Sequence, residues 1–187
     1  MSSHHIVKED QEPALIIAHI DGVTSSVLDQ LLEWNPIVIT NTHNLSRVVQ
    51  QGVKIDVLVA NGVEDLPQDH ILVLPKAPSF LEAALAYLTE RRCRAANIVS
   101  MDADPNLILR YANNIHTVLL GNGKRIFAVT NGFSKWRPKG ETVFLFDDHL
   151  VETRGLRCIR NNEYITETDG FYSIYFDEPH LLIGEPL

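Results

Sequence analysis

An amide and two carboxylates lie between the apolar run 57–59 and Pro67, at a spacing that could hold a metal ion. They are Asn61, Glu64 and Asp65. Magnesium is a hard cation that prefers oxygen ligands, and enzymes that transfer phosphate groups use it to offset phosphate charge. These residues are therefore a candidate metal cluster. An equally supported alternative is a loop of solvated carboxylates.

Two further acids, Asp102 and Asp104, follow the apolar run 97–99 and come just before Pro105. On a loop between a strand and a helix they could form a second acidic pair. The favoured alternative is that one of them caps a helix that begins at Pro105, because Asp followed by Pro is an ordinary helix opening.

The end of the first apolar run offers a candidate anion site. His19, Asp21 and Gly22 end that run, and the segment 24–26 (Thr-Ser-Ser) opens a helix whose amide groups could hold an anion. The simpler interpretation is a turn at Asp21-Gly22 and a helix cap at Ser25 or Ser26.

A basic, aromatic and turn-rich segment spans residues 131–140 of this otherwise acidic chain. Trp136 between Lys135 and Arg137 could stack on a flat ring or hold a phosphate group. A hairpin turn with an aromatic residue at its edge explains the same pattern.

The apolar runs predict the scaffold that positions these residues. From Ala14 to about Leu120, short continuous apolar runs alternate with helical stripes, which favours an α/β fold: a Rossmann-like, mainly parallel sheet with helices on both faces. The predicted strands are 14–18, 37–39, 57–59, 71–74, 97–99 and 117–120. The predicted helices cover 27–32, 45–49 and 80–88, the last capped at Ser79.

The pattern changes after the turn signal Gly121-Asn122-Gly123 to strands and turns alone. The predicted strands are 125–129, 142–146, 156–159, 172–176 and 181–183. We predict a flexible leader over 1–13, an α/β domain over 14–122 and a small all-β sandwich or barrel domain over 123–187.

Composition excludes several classes of protein. A chain of 187 residues with 45% hydrophobic and 21% charged residues is typical of a folded globular protein. Its net charge of −8 argues against a nucleic-acid partner, which needs a basic face. No apolar run approaches the roughly 20 residues that span a bilayer, and no secretion signal is evident. We expect a cytoplasmic protein without a membrane partner.

The segment 52–66 resembles one in the thiamine pyrophosphokinase family, which reads Gly-Ile-Lys-Pro-Asp-Val-Ile-Ile-Gly-Asp-x-Asp-Ser-Leu. Gly52, Lys54 and Asp56 keep its frame, and the strand start Gly155-Leu156 is also similar. The resemblance extends to the order of an α/β domain and a small all-β domain. It implies a homodimeric transferase of thiamine metabolism, a kinase that binds ATP and Mg²⁺ and moves a diphosphoryl group onto thiamine.

Several positions at which that family carries acids hold other residues here. The first acid of its Asp-x-Asp falls on Asn61, an earlier loop acid falls on Thr42, and a later metal-region acid falls on Phe80. Its Gly-Gly-Arg-x-Asp-His segment places the Arg, Asp and His on Pro105, Leu107 and Ile108. Glu82 is retained.

The resemblance implies two hypotheses. The first is an enzyme that acts through displaced acids, with Asp65 and Asp102 as catalytic residues and Glu64 and Asp65 as metal ligands. The residues implied to contact ATP or thiamine are Asn61, Glu64, Glu82, Thr42, Trp136 and Ser173. The second, which the exchanged acids favour, is a non-catalytic homodimer that binds a small ligand or serves as a scaffold. In that case the family activity is weak or lost, and no cofactor is required.

Overall fold

The computed structural model describes residues 12–62, 65–146 and 151–187. Residues 1–11 of the predicted leader over 1–13 therefore lie outside the described residues. Glu64 lies outside them as well. None of the described helices is long and apolar enough to cross a membrane.

Strands and helices alternate through the first part of the chain, as the apolar pattern predicts, and strands alone make up the rest. The first part contains β1 Ala14–Ile17, α1 Ser25–Leu32, β2 Val38–Asn41, α2 Leu45–Gln50, β3 Val57–Val59, β4 Leu72–Leu74, α3 Phe80–Glu90, β5 Ala95–Val99, α4 Asn106–Tyr111 and β6 His116–Gly121. The second part contains β7 Lys124–Val129, β8 Phe133–Arg137, β9 Thr142–Leu145, β10 Glu152–Arg154, β11 Leu156–Arg160, β12 Glu163–Thr166, β13 Gly170–Tyr175 and β14 Leu181–Pro186.

Three strands, β8, β10 and β12, were not predicted from the sequence. Each mixes charged or polar residues with apolar ones, so none has the continuous apolar run that marks a buried strand. The helix predicted to open at Pro105 begins one residue later, with Pro105 at its N-cap position.

One sheet of eleven strands runs through the described residues, in the order β11-β12-β9-β14-β7-β6-β5-β1-β2-β3-β4. The strands from β6 to β4 pair in parallel, as predicted, whereas β6 pairs with β7 in the antiparallel direction. A second, antiparallel sheet has the order β10-β13-β8. The mixed α/β class is therefore confirmed, and the predicted boundary near residue 122 coincides with a turn inside the large sheet.

The parallel strands bury both of their faces. In β1, Ile16 joins one apolar cluster with residues of α3 and α4, while Leu15 and Ile17 join another with residues of α1 and α2. Burial on both faces explains why these strands read as continuous apolar runs. The strand predicted over 71–74 is present as β4, but its predicted burial is wrong, because β4 ends the sheet and leaves Leu72 45% exposed.

A two-residue turn connects β6 to β7. Asn122 and Gly123 both have positive φ, 51° and 70°, as the tightest hairpin turns require. The Asn122 side-chain amide donates to the carbonyl of Met101 at 2.8 Å, so the turn also holds the loop that follows β5. At the end of β6, a Cβ added to Gly121 would lie 1.8 Å from the carbonyl oxygen of Ser100.

A buried carboxylate anchors the antiparallel part. Glu185 on β14 is 1% exposed, and it accepts hydrogen bonds from Arg125, Lys135, Arg137 and the hydroxyl of Tyr172. Burial by itself would raise the pKa of Glu185, but Lys135, Arg137 and Arg125 outweigh it and lower the pKa from 4.5 to about 2. Burial and the neighbouring Glu185 charge raise the pKa of Tyr172.

We predict that Gly121→Ala lowers the free energy of unfolding by about 3 kcal/mol or more, because the new methyl group overlaps backbone atoms that cannot move aside. Gly123→Ala is the matched control: nothing lies within 4 Å of its Cβ, and only its positive φ is strained. That strain costs about 1 to 2 kcal/mol. Urea unfolding of both variants measures the difference, and equal losses would contradict the close approach at Gly121.

We also predict a specific acid sensitivity from Glu185. Because its pKa in the folded protein lies below the ordinary value, the charged form stabilises the fold above about pH 4.5. This contribution, about 3 kcal/mol, declines as the pH falls from about 4.5 towards about 2. Glu185→Gln should lack this part of the pH dependence. Urea unfolding of both proteins from pH 7 to pH 2 tests it, and parallel stability curves would contradict it.

Candidate functional site

The carboxyl ends of the parallel strands form a cleft at one edge of the large sheet. Strand β1 lies between β5 and β2, so the strand order reverses there, and open α/β sheets bind ligands at such a point. A cavity of about 440 Å³ occupies this position. The polar and charged residues that line it are His19, Asn41, His43, Lys76, Ser79, Asp102, Asp104 and Arg110.

Asp102, predicted as catalytic, lies in this cleft and is already engaged. Its carboxylate lies 3.3 Å from Nδ1 of His19 and accepts a hydrogen bond from Ser100 Oγ at 3.1 Å. Ser100 is buried and also lies 3.2 Å from His19 Nδ1, so its hydroxyl is not presented as a nucleophile. No described residue bonds Nε2 of His19. Ser100 and Asp102 therefore hold the His19 ring through Nδ1.

The loops after β1 and β2 are tied together by an asparagine that the sequence reasoning did not single out. Asn44 is 2% exposed; its side chain donates to the carbonyl of Ala18 and accepts from the amide of Ile20. Asn41 donates to the same carbonyl of Ala18. An Asn directly before the helical stripe that begins at Leu45 is a helix-start signal, but nothing nearby in the sequence indicates its bond to a distant loop.

Glu82 has a structural role in the described contacts. Ser79 caps α3 by accepting from the Glu82 amide at 3.2 Å, as the sequence predicts, and its hydroxyl donates to the Glu82 carboxylate at 2.7 Å. Arg110 on α4 donates to the other carboxylate oxygen at 2.9 Å. Glu82 does not line the cavity, whereas Ser79 and Arg110 do.

The N-termini of α4 and α1 can be compared with the sequence predictions. Asp104 accepts a hydrogen bond from the amide of Asn106 at 3.0 Å, which agrees with the helix-opening interpretation of this acid. Thr24, not Ser25 or Ser26, caps α1. This correction follows from a helix that begins at Ser25, two residues before the predicted stripe over 27–32. Asp21 pairs with Arg47, whose guanidinium holds the pKa of Asp21 below its usual value.

The candidate metal cluster is only partly within the described residues, which include Asn61 and Asp65. Asn61 accepts a hydrogen bond from the amide of Lys76 at 2.9 Å and so joins the loops after β3 and β4. Asp65 and Thr42 are exposed, and neither they nor Asn61 line the cavity. Glu64 lies outside the described residues.

Trp136 and Ser173 lie in the three-stranded sheet and do not line the cleft cavity. Trp136 is 52% exposed and pairs across the strands with Phe171, which is 71% exposed. The hydroxyls of Ser173 and Ser134 lie 3.1 Å apart.

Hydrocarbon occupies positions at which the resemblance implies ligand-binding side chains. Phe80 and Leu107 line the cleft and are buried in the core, and Ile108 is buried beside them. Of the residues that the structure describes, no three His, Cys, Asp or Glu side chains group so that they could hold a metal ion. The described acids that line the cleft are Asp102 and Asp104.

Solved structures of known proteins are similar to this chain in fold. No protein-family model matches the sequence, and no curated protein matches it. A thiamine pyrophosphokinase from Bacillus subtilis is similar in structure, with 14% identity, coverage of 93% of this chain and 98% of that chain, and a TM-score of 0.63. A thiamin pyrophosphokinase from Candida albicans has 8% identity, coverage of 94% and 90%, and a TM-score of 0.65.

A probable thiamine pyrophosphokinase from Staphylococcus saprophyticus is also similar, with 14% identity, coverage of 93% and 98%, and a TM-score of 0.63. At these identities the likeness concerns the arrangement of strands and helices, along almost the whole length of each chain. The fold of this chain is therefore that of the thiamine pyrophosphokinases, reached with a widely different sequence.

Proposed function

We propose that this protein binds a phosphate-bearing small molecule in the cleft and that its ability to move a diphosphoryl group from ATP to thiamine is weak or lost. The observation that carries this proposal is the placement of Phe80 and Leu107 in the cleft wall. Hydrocarbon cannot supply the oxygen ligands that magnesium needs. Loss of one preorganised contact to a developing charge typically lowers kcat by a factor of roughly a hundred to a thousand.

The remaining acids near the cleft support the same proposal, because each described one is held by a neighbour. Asp102 is bonded to Ser100, Asp104 to Asn106 and Glu82 to Arg110. These partners orient the three carboxylates separately, and within the described residues no three acids group around one point that could hold a cation.

The cleft nevertheless retains groups suited to an anionic ligand. Lys76 forms no ion pair with a described residue, and His43 and His19 line the same cavity. A nucleotide or a phosphate ester of thiamine has the size and charge for such a cleft. In this proposal side-chain donors hold the phosphate groups, and no resident metal ion is required.

Two features of the architecture belong to the proposal. The two apolar clusters that share the parallel strands support helices on both faces of that part of the sheet. A third cluster draws Leu145 and Ile183 from the large sheet and Tyr172 and Ile174 from the small one, which supports a β-sandwich.

We also propose a cytoplasmic homodimer, as the resemblance implies. The exposed pair of Trp136 and Phe171 supports a contact surface, since large exposed aromatic side chains are enriched at interfaces. Sedimentation velocity should give a dimer, and Trp136→Ser should weaken it; a wild-type monomer at high concentration would contradict this part.

The first prediction of the proposal concerns turnover. Purified protein supplied with ATP, Mg²⁺ and thiamine should form thiamine diphosphate at a rate at least about a hundredfold below that of an ordinary kinase, because Phe80 and Leu107 occupy positions at which the resemblance implies acids. Chromatographic measurement of product checks this. Turnover at an ordinary kinase rate would overturn the proposed loss of activity.

The second prediction concerns the metal dependence of binding. ATP or thiamine monophosphate should raise the melting temperature to the same extent in EDTA and in Mg²⁺, because side chains hold the phosphate groups. Lys76→Ala should weaken binding about tenfold, the effect of one lost charged hydrogen bond. Lys54→Ala is the matched control, since Lys54 pairs with Asp56 and does not line the cleft. Magnesium-dependent binding would contradict the proposal.

A further inference from the structure

The ion cluster around Glu185 carries a surplus of positive charge. Arg125, Lys135 and Arg137 all pair with the carboxylate of Glu185, and none of them pairs with any other carboxylate of the described residues. The carboxylate accepts from all three cations and from Tyr172, so its acceptor sites are filled. Three cations against one anion leave two positive charges without a described counter-charge.

Two of the three cations, Arg125 and Lys135, line a groove. A cavity of about 620 Å³ lies between α1 and the start of the antiparallel strands, with Arg125 and Lys135 in its lining. Gln30 and Asn97 are the other polar side chains there, and no Asp or Glu side chain lines it among the described residues. Arg137, the third cation, does not line it.

The remainder of the groove is apolar. Its hydrocarbon lining comprises Val27, Leu31, Val118, Leu120, Phe127, Pro186 and Leu187. Lys135 Nζ lies 5.6 Å from the centre of the Phe127 ring, so one cation sits directly over the apolar part of the lining. A charge beside apolar walls is less screened than one in open solvent, which strengthens its attraction for an anion.

We propose that this groove is a binding site for a small organic anion with an apolar body, whose phosphate or carboxylate group pairs with Arg125 and Lys135. The buried Glu185 organises the site, because it holds the two side chains at the rim and its single charge leaves them a net positive charge. The apolar body packs against Leu31, Val118 and Phe127. The groove shares no lining residue with the cleft, so the site is separate from the one discussed above.

The chemistry of the groove sets the order of affinities. Phenyl phosphate combines a charged head with a flat apolar body and should bind best. Inorganic phosphate lacks the apolar body, and benzyl alcohol lacks the charge, so both should bind more weakly. Raising the salt concentration should weaken phenyl phosphate binding more than benzyl alcohol binding.

Titration of the ¹⁵N-labelled full chain with each of the three compounds tests the proposal. Phenyl phosphate should shift the amide resonances of Val27, Leu31 and Val118. Arg125→Gln or Lys135→Gln should weaken its binding about tenfold, because each removes one charged hydrogen-bond donor. Arg137→Gln is the matched control: it removes a cation from the same cluster but outside the groove, and it should change the affinity by less than about threefold.

Three outcomes would overturn the proposal. They are an absence of phenyl phosphate binding to the wild type, shifts confined to cleft residues such as His43 and Lys76, and equal losses of affinity in all three variants. Far-ultraviolet circular dichroism of each variant verifies that it is folded. Because Glu185 keeps two cations in every variant, we expect all of them to fold. Binding in the groove is measured without ATP or thiamine, so its failure is distinct from failure of the proposed cleft function.

Discussion

The two-residue turn between β6 and β7 is the constraint on which the rest of the structure depends. It reverses the chain so that the parallel half of the sheet continues into the antiparallel half without a gap. Positive φ at Asn122 and Gly123 makes the turn tight, and the missing side chain of Gly121 allows the carbonyl of Ser100 to approach the end of β6. Asn122 then fixes the loop that carries Asp102, so one turn positions both the antiparallel strands and one wall of the cleft.

The described acids in and beside the cleft each have a separate protein partner. Carboxylates that converge on one point repel one another and need a cation between them, whereas here the described carboxylates are distributed among separate partners. Asp102 faces His19, and Glu82 faces Arg110. The hydrocarbon of Phe80 and Leu107 packs into the core, where it stabilises the fold. This arrangement is the basis of the proposed loss of diphosphoryl transfer.

In the antiparallel part, several cations share one carboxylate, whereas in the cleft each described carboxylate has its own partner. The chain has a net charge of −8, yet three cations gather on one buried carboxylate at the junction of its two parts. Glu185 is stable there only because every acceptor site of its carboxylate is filled. The cations that fill those sites come from β7 and β8, so the ion cluster also links the two sheets. The cleft and the cationic groove share no lining residue, and among the described residues only the cleft has carboxylates in its lining.

The sequence by itself determined the elements whose signals are local. Continuous apolar runs marked the buried strands, the spacing of leucines and valines marked α1 and α3, and Asn122-Gly123 marked the hairpin, because each signal depends on neighbours within a few residues. Resemblance around Gly52 also indicated the fold that the structural comparisons support. Strands β8, β10 and β12 were not predicted, because half-buried strands carry polar residues and the same pattern is also typical of loops.

Only the tertiary structure decided which side chains meet. His19 meets Asp102, Asn44 meets Ala18, and the partners of Glu185 come from strands far away along the chain. No local pattern records such pairs, since they follow from strand order and register. The acids Asp65 and Asp102 looked alike in the sequence and both are exposed, yet only Asp102 lines the cavity, where it is bonded to Ser100. Charge and hydrogen bonding depend on distances in space, and the order of residues along the chain does not specify those distances.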